Sequence, residues 1–304
     1  YGKYQNMSLD DELSDLLIIS LEQAVAAPYC GLLLASAGAR VIKVERPEGD
    51  FARSYDNSIN GKSAIFAWLN RGKESISLDL KNKTDKKIFK NMLKKADVFL
   101  SNLTPGSLEK LELDYKQVKA LNPKLIFCEI TGYGNSKLAH SKKAYDFLIQ
   151  AESGLCSVTG TEKYPSKVGI SITDLSTGLT AYSAILRGII KRSKTKKGIS
   201  ISISMFDVMA DWMNMPLLAH RYMGGTPKRN GMKHSFIAPY GTFKCKNNDE
   251  ILISIQNNRE FEVFCKKILK NQNLFKNPKF QDNPNRYKNR HELDKIINSC
   301  FLKY

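Results

Sequence analysis

Apolar and polar positions alternate along this chain in blocks of two different periods. Residues 16–21 (LLIISL) form an unbroken apolar run bounded by acidic and polar residues, the pattern of a strand buried on both faces. An Ala-rich stretch at 28–37 follows, with helical spacing, and then a second β-rich run, ARVIKVE, at 39–45. Strand, helix and strand in that order predict a βαβ unit and therefore a parallel sheet covered by helices. The alternation continues with a strand at 75–80, a helix at 84–95, a strand at 97–101, a helical segment at 115–121 and a strand at 124–130. An amphipathic helix at 143–154 ends on Gly154, and a long helix at 174–192 starts at Asp174, which is placed to cap it. SISISM at 200–205 predicts a further strand, and 206–222 a helix. The fold class these elements predict is α/β, with an open, parallel-sheet, Rossmann-like large domain.

From residue 224 the pattern changes. Gly224, Gly225, Pro227, Gly231, Pro239 and Gly241 punctuate a loop-rich stretch that leads to short strands at 240–245 and 250–255 and two helical stretches. Three divisions are expected. Residues 1–15 form a poorly structured N-terminal extension, with no periodicity over 1–8. Residues 16–223 form the large domain, and 224–304 a smaller α+β domain.

Composition narrows the chemistry. A chain of 304 residues, 42% hydrophobic and 25% charged, can bury a substantial core. Its +17 formal charge comes from 47 basic and 30 acidic residues, spread along the chain, which makes a solvated basic surface with an attraction for polyanions. The densest basic run, KRSKTKK at 191–197, lacks the interleaved aromatics of a nucleic-acid surface, so no nucleic-acid partner is expected. Six cysteines without a C-x-x-C pair, and four histidines not clustered with them, point to free thiols in a reducing cytoplasm and to no metal. Asp10, Asp11, Glu12 and Asp15 are the wrong charge for a signal peptide, and no apolar run reaches the ~20 residues of a membrane span, so no membrane partner is expected.

A parallel sheet raises the idea of a dinucleotide enzyme, but the turn after the first strand, SLEQAVAAP, has no glycine to let the backbone approach a pyrophosphate. There is no G-x-x-x-x-G-K-[ST] loop and no G-x-S-x-G elbow either.

Seven segments in order resemble the class III coenzyme A transferases, a family that takes in formyl-CoA and carnitine-CoA transferases and the methylacyl-CoA racemases. They are LEQAVAAP (21–28), GARVIKVERPEGD (38–50), LNRGKESISLDLK (69–81), ADVFLSNLTPG (96–106), LNPKLIFCEITGYG (121–134), KAYDFLIQAESG (143–154), and GISITDLSTG (169–178) followed by KTKKGISISISMFD (194–207). Each alone is weak; the series, in the family's order from about residue 16 to 290, is specific. The resemblance implies a CoA-transferase with no tightly bound cofactor, for which coenzyme A, as acyl-CoA, is a substrate. It also implies that Asp174 is the catalytic carboxylate. Asp174 would attack the thioester to give a mixed anhydride, which the released thiolate converts to an aspartyl-CoA thioester before the acceptor acid takes the CoA. An Asp at a helix start is usually only a cap; the surrounding segments are what mark this one.

The same resemblance places coenzyme A against Val25 and Ala26, Arg46, Leu78 and Lys81, Asn102 and Thr104, and Lys143, Ala144, Tyr145 and Asp146. Cationic side chains among these suit the phosphates of the cofactor. The wording of 20–28 and 144–154 favours small dicarboxylates: succinyl-CoA with itaconate, mesaconate or citramalate.

Two departures refine this. Racemases of the family carry a His before the Asp of the KAYD segment. Here the residue is Tyr145, a poor base with a reference pKa of ~10, which demotes the alternative of an acyl-CoA racemase or epimerase. The Gly-rich loop of the transferases corresponds to a short GMKHSFIAPYG (231–241), where His234 is a candidate for contacting substrate. Family members are longer and form an interlocked homodimer. A chain that stops soon after 291–301 predicts a C-terminally truncated small domain, and with it a third reading, a non-catalytic CoA-binding homologue.

Overall fold

The computed structural model describes residues 10–134 and 142–304. The helix-and-strand alternation read from the sequence is present: β1 (Leu17–Leu21), α1 (Ala26–Ser36), β2 (Arg40–Glu45), α2 (Ala64–Asn70), β3 (Glu74–Ser77), α3 (Lys83–Lys95), β4 (Val98–Ser101), the short α4 (Ser107–Lys110), α5 (Tyr115–Leu121) and β5 (Ile126–Thr131). Then come α6 (Asp146–Glu152), α7 (Leu155–Val158), α8 (Ile172–Thr195), β6 (Ile199–Ser204), α9 (Met205–Trp212) and α10 (Asn214–Tyr222). The six strands form one parallel sheet in the order β3-β2-β1-β4-β5-β6. Successive side chains of a strand point to opposite faces, so Ile18 enters the core beneath α1 and α8 while Ile19 enters the one beneath α3 and α5. The inner strands are therefore covered on both faces and β1, β4 and β5 read as mostly apolar runs, whereas the edge strands β3 (ESIS) and β6 (ISISIS) alternate. α2 and the 3-10 turn Phe51–Ser54 had no periodic signal in the sequence; caps hold them instead, Ser63 accepting the Phe66 N–H at 3.1 Å and Asp50 the Ala52 N–H at 2.9 Å.

The chain divides into two compact units. One holds residues up to Leu155 together with Lys167–Met215; the other is Cys156–Ser166 with Pro216–Tyr304. Reading the chain as successive segments does not anticipate the excursion at 156–166. Its reason is a long-range contact: the Arg229 guanidinium donates to the carbonyls of Ser157, Thr161 and Glu162 at 2.9–3.0 Å. Residues 1–9 of the expected extension lie outside the described residues. Asp10–Asp15, by contrast, fold into turns that bury Leu13 and Leu16, and the Leu13 N–H donates to Ala37 O at 2.9 Å.

The second unit pairs β7 (Tyr240–Lys244) antiparallel with β8 (Glu250–Ser254). Packed with them are α11 (Asn258–Val263), a π-helical turn Phe264–Ile268, α12 (Gln272–Lys276), α13 (Asn283–Lys288) and α14 (Arg290–Phe301), around Phe243, Phe261, Phe280, Leu293 and Ile297.

Candidate active site

In a sheet ordered 3-2-1-4-5-6 the connections leave β1 and β4 in opposite directions, which opens a crevice at the carboxyl ends of those strands. Two loops wall it. After β4, Asn102 Oδ1 accepts the Gln23 N–H at 2.9 Å and its Nδ2 donates to Gln23 O at 2.8 Å, so the loop after β1 is clamped through its backbone. Next in that loop, Ala24 has φ +63°, a left-handed conformation that costs an alanine ~1 kcal/mol; its N–H is held by Asp50 Oδ1 at 3.2 Å. Val25 then stands at the N-cap of α1. A valine side chain cannot cap, and the Ala26 and Ala27 amides of this helix meet no side-chain acceptor among the described residues.

A second helix start faces the same crevice. α8 begins at Ile172, two residues before the sequence suggested, with Ser171 as N-cap and Asp174 at the third helical position. Asp174 is therefore not the cap. Asp146 supplies it from α6: Oδ1 accepts the N–H of Thr173 at 2.7 Å and of Asp174 at 3.2 Å, while Oδ2 accepts Gln150 Nε2 at 2.6 Å. Gln150, wholly buried, accepts the Val168 N–H at 2.9 Å through Oε1 and so fixes the approach to the helix. The Asp174 carboxyl meets no hydrogen-bond donor among the described residues. Burial first, and the negative charge of Asp146 second, raise it to about 7. One turn on, Gly178 lets α8 lie directly on the start of α1; a Cβ there would sit 2.5 Å from Ala26 O. Gly132 does the same for the 143–145 segment, since its Cβ would fall 2.0 Å from that of Ala144.

The crevice holds a cleft of about 430 Å³, lined among others by Ala26, Asn102, Thr104, Lys143, Ala144, Tyr145 and Asp174. Seven of the residues suggested by the sequence are thus brought together. Arg46, Leu78 and Lys81 are not among them: they line a second cleft of about 230 Å³ over the carboxyl ends of β2 and β3. Gln23 and Leu103 belong to the walls of both, so the two clefts share a boundary. Val25 and Asp146 line neither, one serving as helix N-cap and the other as the acceptor just described.

His234 lies in the second unit, ahead of β7. Its Nδ1 accepts the N–H groups of Phe236 and Ile237, both at 3.1 Å, and its ring stacks on Tyr240 at 4.9 Å. Burial, then the Arg290 guanidinium, hold it below the usual histidine range. These contacts organise its own loop.

The sequence reading missed Tyr55 and Phe51, which also line the larger cleft. Burial, then the Asp174 charge, push the Tyr55 hydroxyl up to about 12, so it is a hydrogen-bond donor at neutral pH, as an ordinary tyrosine already is. No local pattern marks Tyr55; it reaches the cleft because the turn capped by Asp50 carries it there.

This layout defines a doubly wound α/β protein with a raised carboxyl at a helix start, facing a cleft at the topological switch point. Comparison with known proteins is more specific. A profile of CoA-transferase family III matches residues 13–304. The succinyl-CoA:glutarate CoA-transferase of Mus musculus is 36% identical over 296 residues, covering 96% of this chain and 67% of that protein. An acetyl-CoA:oxalate CoA-transferase of Acetobacter aceti is 34% identical, covering 95% and 74%. A crystal structure of a CAIB/BAIF family protein from Brucella suis superposes with a TM-score of 0.82 at 33% identity, covering 97% of this chain and 79% of that one. The chain belongs to CoA-transferase family III. It spans about two thirds to three quarters of the length of those two curated relatives.

Proposed function

We propose that this chain moves coenzyme A between carboxylic acids through a covalent intermediate on Asp174. The observation that carries the reading is a carboxyl held at about 7 in a cleft of about 430 Å³, with no donor of its own to satisfy it. Such a group is a stronger nucleophile once ionised than a solvated carboxylate, and ionises readily near neutral pH. The linked clefts suit the two ends of the cofactor. Arg46 and Lys81 offer cations for phosphates, the pantetheine arm would cross the boundary the clefts share at Gln23 and Leu103, and the thioester would reach Asp174. The uncapped amides at the start of α1 and the Tyr55 hydroxyl are the donors nearest to hand for oxyanions formed in each acyl exchange.

The acids are small dicarboxylates, with succinyl-CoA as donor and glutarate, itaconate, mesaconate or citramalate as acceptors. The dicarboxylates in the names of both relatives support this. The working form is a homodimer, a reading supported by large apolar side chains left on the surface of the first unit, Trp68, Leu179, Ile190 and Trp212 among them. Six free thiols agree with a reducing cytoplasm, and no described helix is long and apolar enough to cross a membrane.

The test is intact-protein mass spectrometry after incubation with succinyl-CoA, with hydroxylamine trapping, in the wild type and Asp174→Ala. An adduct that maps to Asp174 and is lost in the variant is expected. Absence of any adduct across a panel of acyl-CoA donors, with coenzyme A still bound, would overturn the transferase reading.

A further inference from the structure

Beside the clefts runs a chain of buried charges, two of which, Glu22 and Asp50, line the smaller cleft, and the transfer chemistry does not itself use them. Lys43 on β2 and Asp50 on the turn after it have side chains 1% exposed and meet at 2.7 Å. Lys43 also lies 3.8 Å from Glu22, which Lys73 engages at 2.6 Å. Lys73 Nζ donates in addition to Pro28 O at 2.8 Å and Asn70 Oδ1 at 3.1 Å. The four side chains alternate in sign and sum to zero, the condition under which buried charges are tolerated.

The Asp50 carboxylate does more than neutralise Lys43. Its Oδ2 takes the lysine, while its Oδ1 accepts two backbone N–H groups from different walls of the cleft: Ala24 at 3.2 Å and Ala52 at 2.9 Å. Ala24 is the left-handed residue just ahead of α1, and Ala52 belongs to the turn that presents Phe51 and Tyr55. From the other side Glu45 Oε2 accepts the Asp50 N–H at 3.0 Å, and Glu45 is held by Arg53 at 2.7 Å and by the Ser75 hydroxyl at 2.6 Å. Asp50 is therefore immobilised at both ends of its own residue.

We propose that Asp50 is a positioning residue for the CoA transfer. One carboxylate oxygen ties the loop after β1 to the turn carrying Tyr55, and so sets the spacing of the two walls that flank the reacting thioester. The inference rests on the transferase reading for its kinetic consequence, and on the geometry alone for its structural one. Without that acceptor, Ala24 loses the bond that holds it in a left-handed conformation, and the first-turn amides of α1 lose their aim. Arg46 and Lys81 take no bond from Asp50, although Asp50 lines the same cleft, so binding of coenzyme A changes far less than turnover.

The experiment removes Lys43 and Asp50 together so that no buried cation is left unpaired. In Lys43→Met/Asp50→Asn an amide oxygen still faces Ala24 and Ala52; in Lys43→Met/Asp50→Leu the volume is kept and the acceptor is gone. Turnover of succinyl-CoA with glutarate, the dissociation constant for coenzyme A, and amide hydrogen exchange over 22–30 are measured in each. The expected result is about a fivefold fall in kcat for the Asn variant and about a hundredfold fall for the Leu variant. The dissociation constant stays within about threefold, and exchange over 22–30 is faster only in the Leu variant. Adding Ala24→Gly to the Leu variant recovers roughly tenfold in kcat, because glycine adopts the left-handed conformation without help. Equal losses in the Asn and Leu variants, no rescue by glycine, or unchanged exchange in the Leu variant each overturn the proposal. If the Leu variant does not fold, Lys43→Met/Asp50→Ala is read the same way. A wild type that transfers no coenzyme A overturns the transferase reading, and the exchange data then decide the positioning claim by themselves.

Discussion

Two carboxylates of the first unit, Asp174 and Glu45, sit in partly or wholly buried surroundings and end at opposite extremes. Burial alone would raise Glu45, but bonds from Arg53, from the Ser75 hydroxyl and from the Asp50 N–H overcome it and hold the carboxyl at about 2. Asp174 has the burial without the donors, stands near the Asp146 charge, and rises to about 7. The difference lies in what surrounds each group. Where hydrogen-bond donors saturate a buried carboxylate it becomes structure; where they are withheld it keeps an affinity for protons and for acyl carbons.

The largest expected effect on that contrast is from Asp174→Ala, which should lower CoA transfer by about four orders of magnitude, measured as initial rate with succinyl-CoA and glutarate. Next is stability, where the two groups should respond with opposite sign. A raised folded-state pKa means that Asp174 costs stability as pH climbs from the unfolded value of ~3.9 through about 7. Asp174→Asn should therefore stabilise the protein by about 2–3 kcal/mol at pH 8 and by less at pH 5, read from urea melts. Glu45 has a depressed pKa, so its contribution is present above ~4.3 and fades as pH falls through about 2. Glu45→Gln should destabilise by about 2 kcal/mol at pH 7, by roughly half that at pH 3 and by little at pH 2; the same sign for both variants at pH 8 would break the comparison.

Smaller effects sharpen it. Asp146→Asn keeps an oxygen for the Thr173 and Asp174 amides but removes the charge that helps raise Asp174. The acidic limb of the pH–rate profile, set by ionisation of the nucleophile, should move to lower pH, with a loss in rate of about tenfold at pH 8. Smallest is Arg46→Ala in the second cleft: KM for acyl-CoA should rise about tenfold with kcat nearly unchanged, the mark of lost binding remote from the reacting atoms.

Much of this was legible in the chain. Runs such as LLIISL and KLIFCEI announced strands, and the series of segments from LEQAVAAP to GISITDLSTG singled out Asp174, Asn102 and Tyr145, which line one cleft in the structure. Side chains whose role depends on a partner distant in sequence were not legible. The resemblance implied that Asp146 contacts coenzyme A, and nothing local hinted that its carboxylate also caps a helix beginning at Ile172. Tyr55 carries no periodic or spacing signal, Asp50 closes the segment GARVIKVERPEGD with no sign of its role, and Arg229 gave no hint that it gathers 157–162 into the second unit. Local pattern reports what a residue is next to in the chain, and these residues act on what the fold brings to them.

The clamp between Gln23 and Asn102 joins residues 79 apart in sequence. On a ribosome adding ~5–20 residues per second, the loop after β1 waits roughly 4 to 16 seconds for its partner to be made, and Asp174 is synthesised later still. Pairings of such long range are slow to close and leave apolar strands exposed meanwhile. A nascent chain of this protein therefore passes through a period in which β1 and β2 lack β4 and α8 that later cover them, which makes residues 17–101 a stretch where chaperone binding during synthesis is expected.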